Sequence, residues 1–294
     1  MPKVSVVVAT YRREAELQRA LESLAAQTYS DFEIVLVDDN DNSEWNGKVQ
    51  RILDAFCEKH PATAIRCIVN RPNLGSARTR NAGIEASEGE YICFLDDDDL
   101  FLPGRIENQL FPMQRENADY GVTDLALYSE SDKLVEVRTR GYIKDPAQML
   151  RYHLMHHITG TDTMMFRRDY LVKIGGFDPI DAGDEFYLMQ KAIGGGGKFL
   201  YVPVCDIKAY VHTGEGGLSS GSGKIAGENR LFEHKKKYFG QLEPRDVRYI
   251  RMRHHVVLAY AYLRAGNYLK FFACGLRGFI VSPLGALQIL AGRR

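Results

Sequence analysis

Apolar and polar positions alternate with two different periods over the first hundred residues. Val4 to Ala9 is a short run dominated by β-branched residues, the pattern of a strand buried on both faces. Leu17, Leu21 and Leu24 then recur at i, i+4 and i+7, which predicts an amphipathic helix over about 13–28. Phe32 to Val37 predicts a second buried strand, and the polar loop Asp38-Asp39-Asn40-Asp41-Asn42-Ser43 behind it offers helix N-caps. Ile52, Leu53 and Phe56 mark the next helix, Ala64 to Val69 the next strand, and 75–86 a further helix. The strand Tyr91 to Leu95 ends abruptly in Asp96-Asp97-Asp98-Asp99. Strand and helix in regular alternation predict an α/β fold, Rossmann-like and doubly wound around a mostly parallel sheet.

Beyond Pro103 the alternation loosens. The pattern predicts a helix over 104–117, a strand from Tyr120 to Tyr128 and a hairpin turn at Ser131-Asp132. A helix over 147–158 and a strand over Thr163–Phe166 follow. The next helix runs through Tyr187–Ile193 and stops at the glycines Gly194 to Gly197. Lys198–Val202 and Lys208–His212 read as short strands, and everything from Gly223 onward as helix, including 243–265. No long linker or internal repeat interrupts the chain. The expected organisation is one composite domain over 1–222, divisible into halves 1–100 and 101–222, and a helical appendix over 223–294.

Composition narrows the function classes. Of 294 residues, 45% are apolar and 26% charged, which fits a soluble globular protein and excludes disorder, collagen-like repeats and coiled coil. The 38 Lys and Arg balance 38 Asp and Glu, so net charge points to no nucleic acid partner. The basic run His234-Lys235-Lys236-Lys237-Tyr238 reads as the polar side of a helix. Five scattered cysteines without a CxxC pair predict neither a disulfide framework nor a zinc site, and Cys67 and Cys93 read as buried thiols. Met1-Pro2-Lys3 leads straight into a strand without signal-peptide anatomy, so a reducing cytoplasm is expected. His156-His157 and His254-His255 are adjacent pairs that diverge on a helix, and neither reads as a metal site.

The chemistry is expected at the strand ends. In open α/β sheets ligands bind beyond the carboxyl ends of the strands. Asp38-Asp39 and Asp96 to Asp99 both sit at such ends. Four adjacent carboxylates resist full ionisation unless a positive charge joins them, and Mg²⁺ or Mn²⁺ commonly bridges such groups to substrate phosphates. A solvated acidic turn is the plainer alternative, but the apolar run before it places the cluster at the active end of the sheet.

These residues carry a resemblance. Val4 to Tyr11, Ser23-Leu24, Gln27 to Val35 and Val37-Asp38-Asp39-Asn40 are similar to family 2 glycosyltransferases of the GT-A fold. Asn73-Leu74-Gly75, Arg80 to Ile84, Gly89 to Ile92, Phe94 to Asp99, Pro103 with Arg105, and Gly175 to Asp178 continue the match, over about residues 3–215. The resemblance implies an inverting transferase that uses a nucleotide-diphosphate sugar, most often a UDP-sugar. It implies that 1–100 binds the nucleotide and 101–222 the acceptor. Thr10 and Tyr11 would border the base and ribose, Asp38 and Asp39 would bind uracil or ribose, and Arg80 would lean over the nucleotide. Asp96 to Asp98 cover the family's DxD element, with Asp98 as the direct metal ligand, Asp97 on the ribose or a metal-bound water, and Asp96 able to exchange roles with it. Asp99 would cap the following turn. His212 would lie near metal and diphosphate in a loop whose glycines and serines suit a lid.

Inversion is a single displacement and needs a carboxylate to take the acceptor hydroxyl's proton. The family places it in an Asp that follows Glu at the start of a late helix. Asp184 aligns with that base, while Gly183 replaces the usual Glu; Glu185 is the competitor, Asp181 a distant one, and an N-cap is the other use open to Asp184. The C-terminal stretch Tyr268 to Arg294 is apolar and aromatic with basic flanks, but Arg277, Pro283 and Gln288 interrupt it as a membrane span. Two uses fit it: an interfacial helix on an anionic inner leaflet, which suits a lipid-linked saccharide acceptor, or packing on the protein's own core or in a homo-oligomer. Two rivals stand beside the transferase. A sugar nucleotidyltransferase would need glycines just after the first strand, where Ala9-Thr10-Tyr11-Arg12-Arg13 has none. A catalytically inactive nucleotide-sugar-binding or scaffold subunit is kept in play by Gly183.

Overall fold

The computed structural model describes residues 2–139, 145–158, 160–180, 183–211 and 221–291. The valine run forms strand β1 (Val4–Thr10), and the second apolar run forms β2 (Phe32–Asp38), in which every residue is buried. Helix α1 (Ala15–Ala25) turns Leu17, Leu21 and Leu24 inward, as their spacing predicts. Helix α2 (Ser43–Lys59) starts where the Asn42 side chain accepts the backbone N–H groups of Glu44 and Trp45. Strand β3 (Ala64–Val69), helix α3 (Ser76–Ala86) and strand β4 (Tyr91–Asp96) complete the alternating half.

The following segments are β5 (Leu100–Phe101), α4 (Arg105–Glu116), β6 (Tyr120–Thr123), β7 (Leu125–Ser129) and β8 (Leu134–Arg138). Next come α5 (Pro146–His156), a short 3-10 helix over Thr161–Thr163, β9 (Met164–Arg167) and α6 (Arg168–Lys173). Helix α7 (Asp184–Gly194) and strands β10 (Phe199–Val202) and β11 (Ile207–Val211) close the mixed part. Helices α8 (Gly221–Lys236), α9 (Pro244–Arg264), α10 (Tyr268–Val281) and α11 (Pro283–Ala291) end the chain.

Seven strands form one sheet in the order β10-β6-β9-β4-β1-β2-β3, and a second sheet runs β5-β11-β7-β8. The large sheet is parallel except for β9, which lies antiparallel between β4 and β6. Its core gathers Val6, Ile34, Leu36, Leu21, Cys93 and Leu95 with Ile106, Leu110 and Met113 of α4. The fold is α/β, with a mostly parallel central sheet and a helical C-terminal region.

Two expectations need correction. The single strand over 120–128 is two strands in two different sheets. The break comes at Asp124, whose N–H donates to the Val204 carbonyl and whose carboxylate accepts the Tyr201 hydroxyl. Cys67 is exposed, unlike Cys93, because β3 is the edge strand of its sheet. The chain divides into two units: Met1–Pro146 with Ile158–Pro179 and Asp184–His212, and Ala147–His157 with Ile180–Gly183 and Thr213–Arg294.

Candidate active site

Strand register brings the acidic ends together. Strand β1 runs parallel between β2 and β4, with Thr10 opposite Asp38 and Ala9 opposite Asp96. The two acidic loops therefore leave the sheet side by side at its carboxyl end.

Each carboxylate there has distinct partners. Asp38 accepts the N–H and side-chain amide of Asn40 at 3.0 and 2.6 Å and the Asn46 amide at 2.6 Å. Asp39 accepts the backbone N–H groups of Leu74 and Gly75 at 2.8 and 2.9 Å and the Asn70 amide at 2.8 Å. It thereby ties the Asn73-Leu74-Gly75 loop to the end of β2. Asp97 accepts the Thr10 hydroxyl at 2.7 Å and the Tyr11 N–H at 3.2 Å. Burial, and then repulsion from Asp98, push the Asp97 carboxyl up to about 7. Asp98 pairs with Arg13 at 2.8 Å.

Beneath this turn lies a group that the sequence did not signal. The N–H of Asp96 donates to the Asp162 carboxylate at 2.8 Å, and Asp99 accepts the Tyr210 N–H at 2.8 Å. Asp99 and Asp162 are 7% and 3% exposed, with carboxylate oxygens within 4.8 Å of each other. Burial raises both, Asp99 well above its ordinary range and Asp162 to about 7. Arg105, fully buried, donates to the Asp162 carbonyl at 2.7 Å and so fixes the 3-10 turn from below. Asp96, Asp99 and Asp162 each place a carboxylate oxygen within 4.8 Å of the other two. Among the described residues this oxygen-only donor set is of the kind that Mg²⁺ or Mn²⁺ takes.

Arg80 connects this turn to α7. Its guanidinium pairs with Asp96 at 2.6 Å and with Asp184 at 2.8 Å. Burial alone would lower the Arg80 pKa, but the charges of Asp96 and Asp184 outweigh it and raise the value. Asp184 is buried, and Glu185 beside it is pushed up to about 7 by burial and then by the Asp184 charge. The Asn81 side chain brackets Phe177, accepting its N–H and donating to its carbonyl, both at 2.8 Å, which seats the Gly176-Phe177-Asp178 segment on α3.

The model for glycosyl transferase family 2 matches residues 5–175. This chain belongs to glycosyl transferase family 2. It is 31% identical over 176 residues to an uncharacterised glycosyltransferase of Haemophilus influenzae, covering 59% of this chain and 55% of that protein. It is 28% identical over 174 residues, 58% of this chain and 53% of the relative, to the Campylobacter jejuni GalNAc(5)-diNAcBac-PP-undecaprenol beta-1,3-glucosyltransferase. Against the Escherichia coli UDP-Glc:alpha-D-GlcNAc-diphosphoundecaprenol beta-1,3-glucosyltransferase WfaP, identity is 30% over 135 residues, 46% of this chain and 50% of WfaP. The chain thus spans about half the length of these relatives. Among solved structures, S. aureus TarS 1–349 in complex with UDP-GlcNAc superposes with TM-score 0.57 at 15% identity, over 95% of this chain and 91% of that one. The mannosyltransferase PcManGT from Pyrobaculum calidifontis, with GDP-Man and Mn²⁺, gives 0.58 at 20% identity, over 99% and 79%. These likenesses establish the GT-A fold.

Within the family fold, Thr10, Tyr11, Asp38, Asp39, Arg80, Asp96, Asp97 and Asp184 gather at one end of the sheet. Two placements differ from expectation. Asp98 is held by Arg13 and stays outside the three-carboxylate group. Asp99 joins that group, where only a turn cap was expected. His212 and Asp181 lie outside the described residues. Gly183 has φ +81°, a left-handed backbone in which a side chain is strained, so this position favours glycine over the Glu that the resemblance leads one to expect.

Proposed function

We propose that this protein is an inverting glycosyltransferase that moves a sugar from a UDP-sugar to a saccharide acceptor, with a lipid-linked saccharide as the acceptor class. The donor nucleotide is held by the first hundred residues, through Thr10, Tyr11, Asp38, Asp39 and Asp97, and the acceptor side is built from 101–222. Asp184 takes the proton of the acceptor hydroxyl as its oxygen attacks the anomeric carbon. The bond from that carbon to the diphosphate breaks on the opposite face, and the diphosphate leaves with the electron pair. Glu185 is the competing base.

Mn²⁺ or Mg²⁺ would be held at the Asp96–Asp99 turn. Asp99 and Asp162 are buried and accept the Tyr210 and Asp96 backbone N–H groups, so we assign them to bracing the turn. Asp96 and Asp98, which reach the surface, take the ligand role. A bound cation supplies charge that offsets the diphosphate. His212 is assigned beside the diphosphate on the resemblance alone.

The observation that carries the reading is the Arg80 bridge. One guanidinium spans Asp184 and Asp96 at 2.8 and 2.6 Å, which keeps the base and the acidic turn within reach of one reacting centre. The relatives' names supply the donor and acceptor classes: WfaP is named for UDP-Glc, and both named relatives act on undecaprenol-diphosphate-linked saccharides. PcManGT was solved with GDP-Man, so the nucleobase is itself under test. We further assign the protein to the cytoplasmic face of a membrane, where donor and lipid-linked acceptor meet.

The decisive experiment is transfer from UDP- and GDP-sugars to undecaprenyl-diphosphate-linked saccharides by wild type and Asp184→Asn. The substitution is expected to lower kcat by about 10²–10⁴-fold and leave UDP affinity within about threefold. A wild type that binds UDP but neither transfers nor hydrolyses any donor would make the chain a binding or scaffold subunit instead.

A further inference from the structure

The helical unit ends in an amphipathic pair whose apolar face points outward. In α10, Cys274 and Gly278 are buried, and Cys274 packs with Leu258 and Ala259 of α9. A Cβ at Gly278 would sit 3.1 Å from the Val256 side chain, so glycine permits the close approach of the two helices. The large apolar side chains lie on the opposite side: Leu269 is 86% exposed, Phe272 68%, Leu276 61% and Ile280 70%. At 100° per residue these four fall within an arc of about 80°, and exposed Tyr268 and Phe279 widen it to about 120°. Lys270 and Arg277, both exposed and two turns apart, line one edge of this strip. Helix α11 repeats the design, with Ala286 buried against Met252 and Val256 while Leu284 and Leu287 are 77% and 52% exposed.

Charge selects the occupant. No Asp or Glu follows Asp246, while Arg248, Arg251, Arg253, Arg264, Lys270, Arg277, Arg293 and Arg294 do. Two copies meeting through this face would set cationic edges together with no carboxylate from 247–294 to answer them. An anionic lipid surface answers both features at once, because acyl chains take the leucine and phenylalanine strip and headgroups take Lys270 and Arg277. No helix among the described residues is long and apolar enough to cross a bilayer, so the helices would lie in its plane.

We infer that the outer face of α10 and α11 is a monolayer-binding surface for anionic lipid, with Leu269, Phe272, Leu276 and Ile280 as its apolar insert and Lys270 and Arg277 as its headgroup contacts. The inference deepens the lipid-linked acceptor reading and rests on it for its biological use, but binding is measured without turnover.

The test is co-sedimentation of the full chain with vesicles of pure phosphatidylcholine and with vesicles containing about a third phosphatidylglycerol. Wild type should bind the anionic vesicles at least about tenfold more tightly. Leu276→Ser/Ile280→Ser and, separately, Lys270→Glu/Arg277→Glu should each weaken that binding by at least about tenfold. The changes fall on exposed positions, so thermal melting and UDP binding should match wild type; if the serine pair misfolds, the charge pair decides. Equal binding to both vesicles, or none, overturns the proposal. So does a wild-type dimer in sedimentation equilibrium that the serine pair dissociates, which would assign the face to a second copy. Intact lipid binding with no transfer would sink the acceptor reading and leave this surface standing.

Discussion

Replacing Arg80 by Met cuts the bridge between base and acidic turn at its centre. The Arg80 and Asp184 side chains are 11% and 8% exposed, and their atoms stand 2.8 Å apart. Removing one partner of a buried ion pair costs about 3–5 kcal/mol, because the remaining carboxylate stays out of water without its counter-charge. The second arm contributes less. Asp96 is 36% exposed, so solvent screens it and its share stays below about 1 kcal/mol. Methionine keeps much of the side-chain volume but loses the guanidinium stacked 5.5 Å from the Phe177 ring centroid, a cation–π contact of about 0.5–1 kcal/mol that stays small beside the stranded carboxylate. Asp184 therefore dominates, and the expected destabilisation is about 3–5 kcal/mol. Urea unfolding at neutral pH reads it directly, since the protein's one tryptophan, Trp45 on α2, reports on the same unit. A double-mutant cycle sharpens the test. With Asp184→Asn already in place no charge is stranded, so Arg80→Met should then cost at least about 2 kcal/mol less than it does in wild type. A loss below about 1 kcal/mol for Arg80→Met, or strict additivity in the cycle, would refute the claim that this bridge is a buried, coupled pair.

Three further outcomes are expected. Glu185 has its pKa raised from 4.5 to about 7, so its protonated form favours the folded state below about 4.5 and that stabilisation is lost as pH rises through 7; Glu185→Gln should raise Tm at pH 8 and change it little at pH 4.5, and an equal shift at both would contradict the assignment. Calorimetric titration of UDP and GDP with and without Mn²⁺ should show metal-dependent UDP binding that Asp98→Asn abolishes, whereas Asp162→Asn, which still accepts the Asp96 N–H, should keep the metal dependence; the reverse pattern would move the cation to the three-carboxylate group. Asn81→Ala strips both backbone partners from Phe177 and should lower stability by about 2 kcal/mol in thermal or urea melts, with an unchanged melt refuting a structural role for that bracket.

The large sheet's first half was legible because three of its strands, β1, β2 and β4, are buried on both faces. Such strands need apolar residues on both faces, so Val4 to Ala9, Phe32 to Val37 and Tyr91 to Leu95 stand out as apolar runs, broken only by Ser5 and Glu33, whose buried side chains hydrogen-bond to each other at 2.6 Å. Structure extends each by a single residue, Thr10, Asp38 and Asp96, and all three sit at the candidate site. Helix periods were equally plain, as in Leu17, Leu21 and Leu24. The antiparallel and edge strands were less so. Their exposure depends on which neighbour they pair with, so 120–128 read as one strand and Cys67 as buried.

Local sequence therefore determined the alternation of elements, the acidic loops at the strand ends and the motif order that marks the family. Only tertiary structure decided which charges meet. Asp162 reaches Asp96 because the 3-10 turn before β9 enters beside β4, 66 residues away in the chain. Arg80 finds Asp184 across 104 residues, and the turn geometry sends Asp98 toward Arg13 but Asp99 toward Asp162. Periodicity is a property of near neighbours, set by the pitch of a helix or the pleat of a strand. Convergence of carboxylates is set by strand order and register, which long-range burial selects and no local pattern encodes.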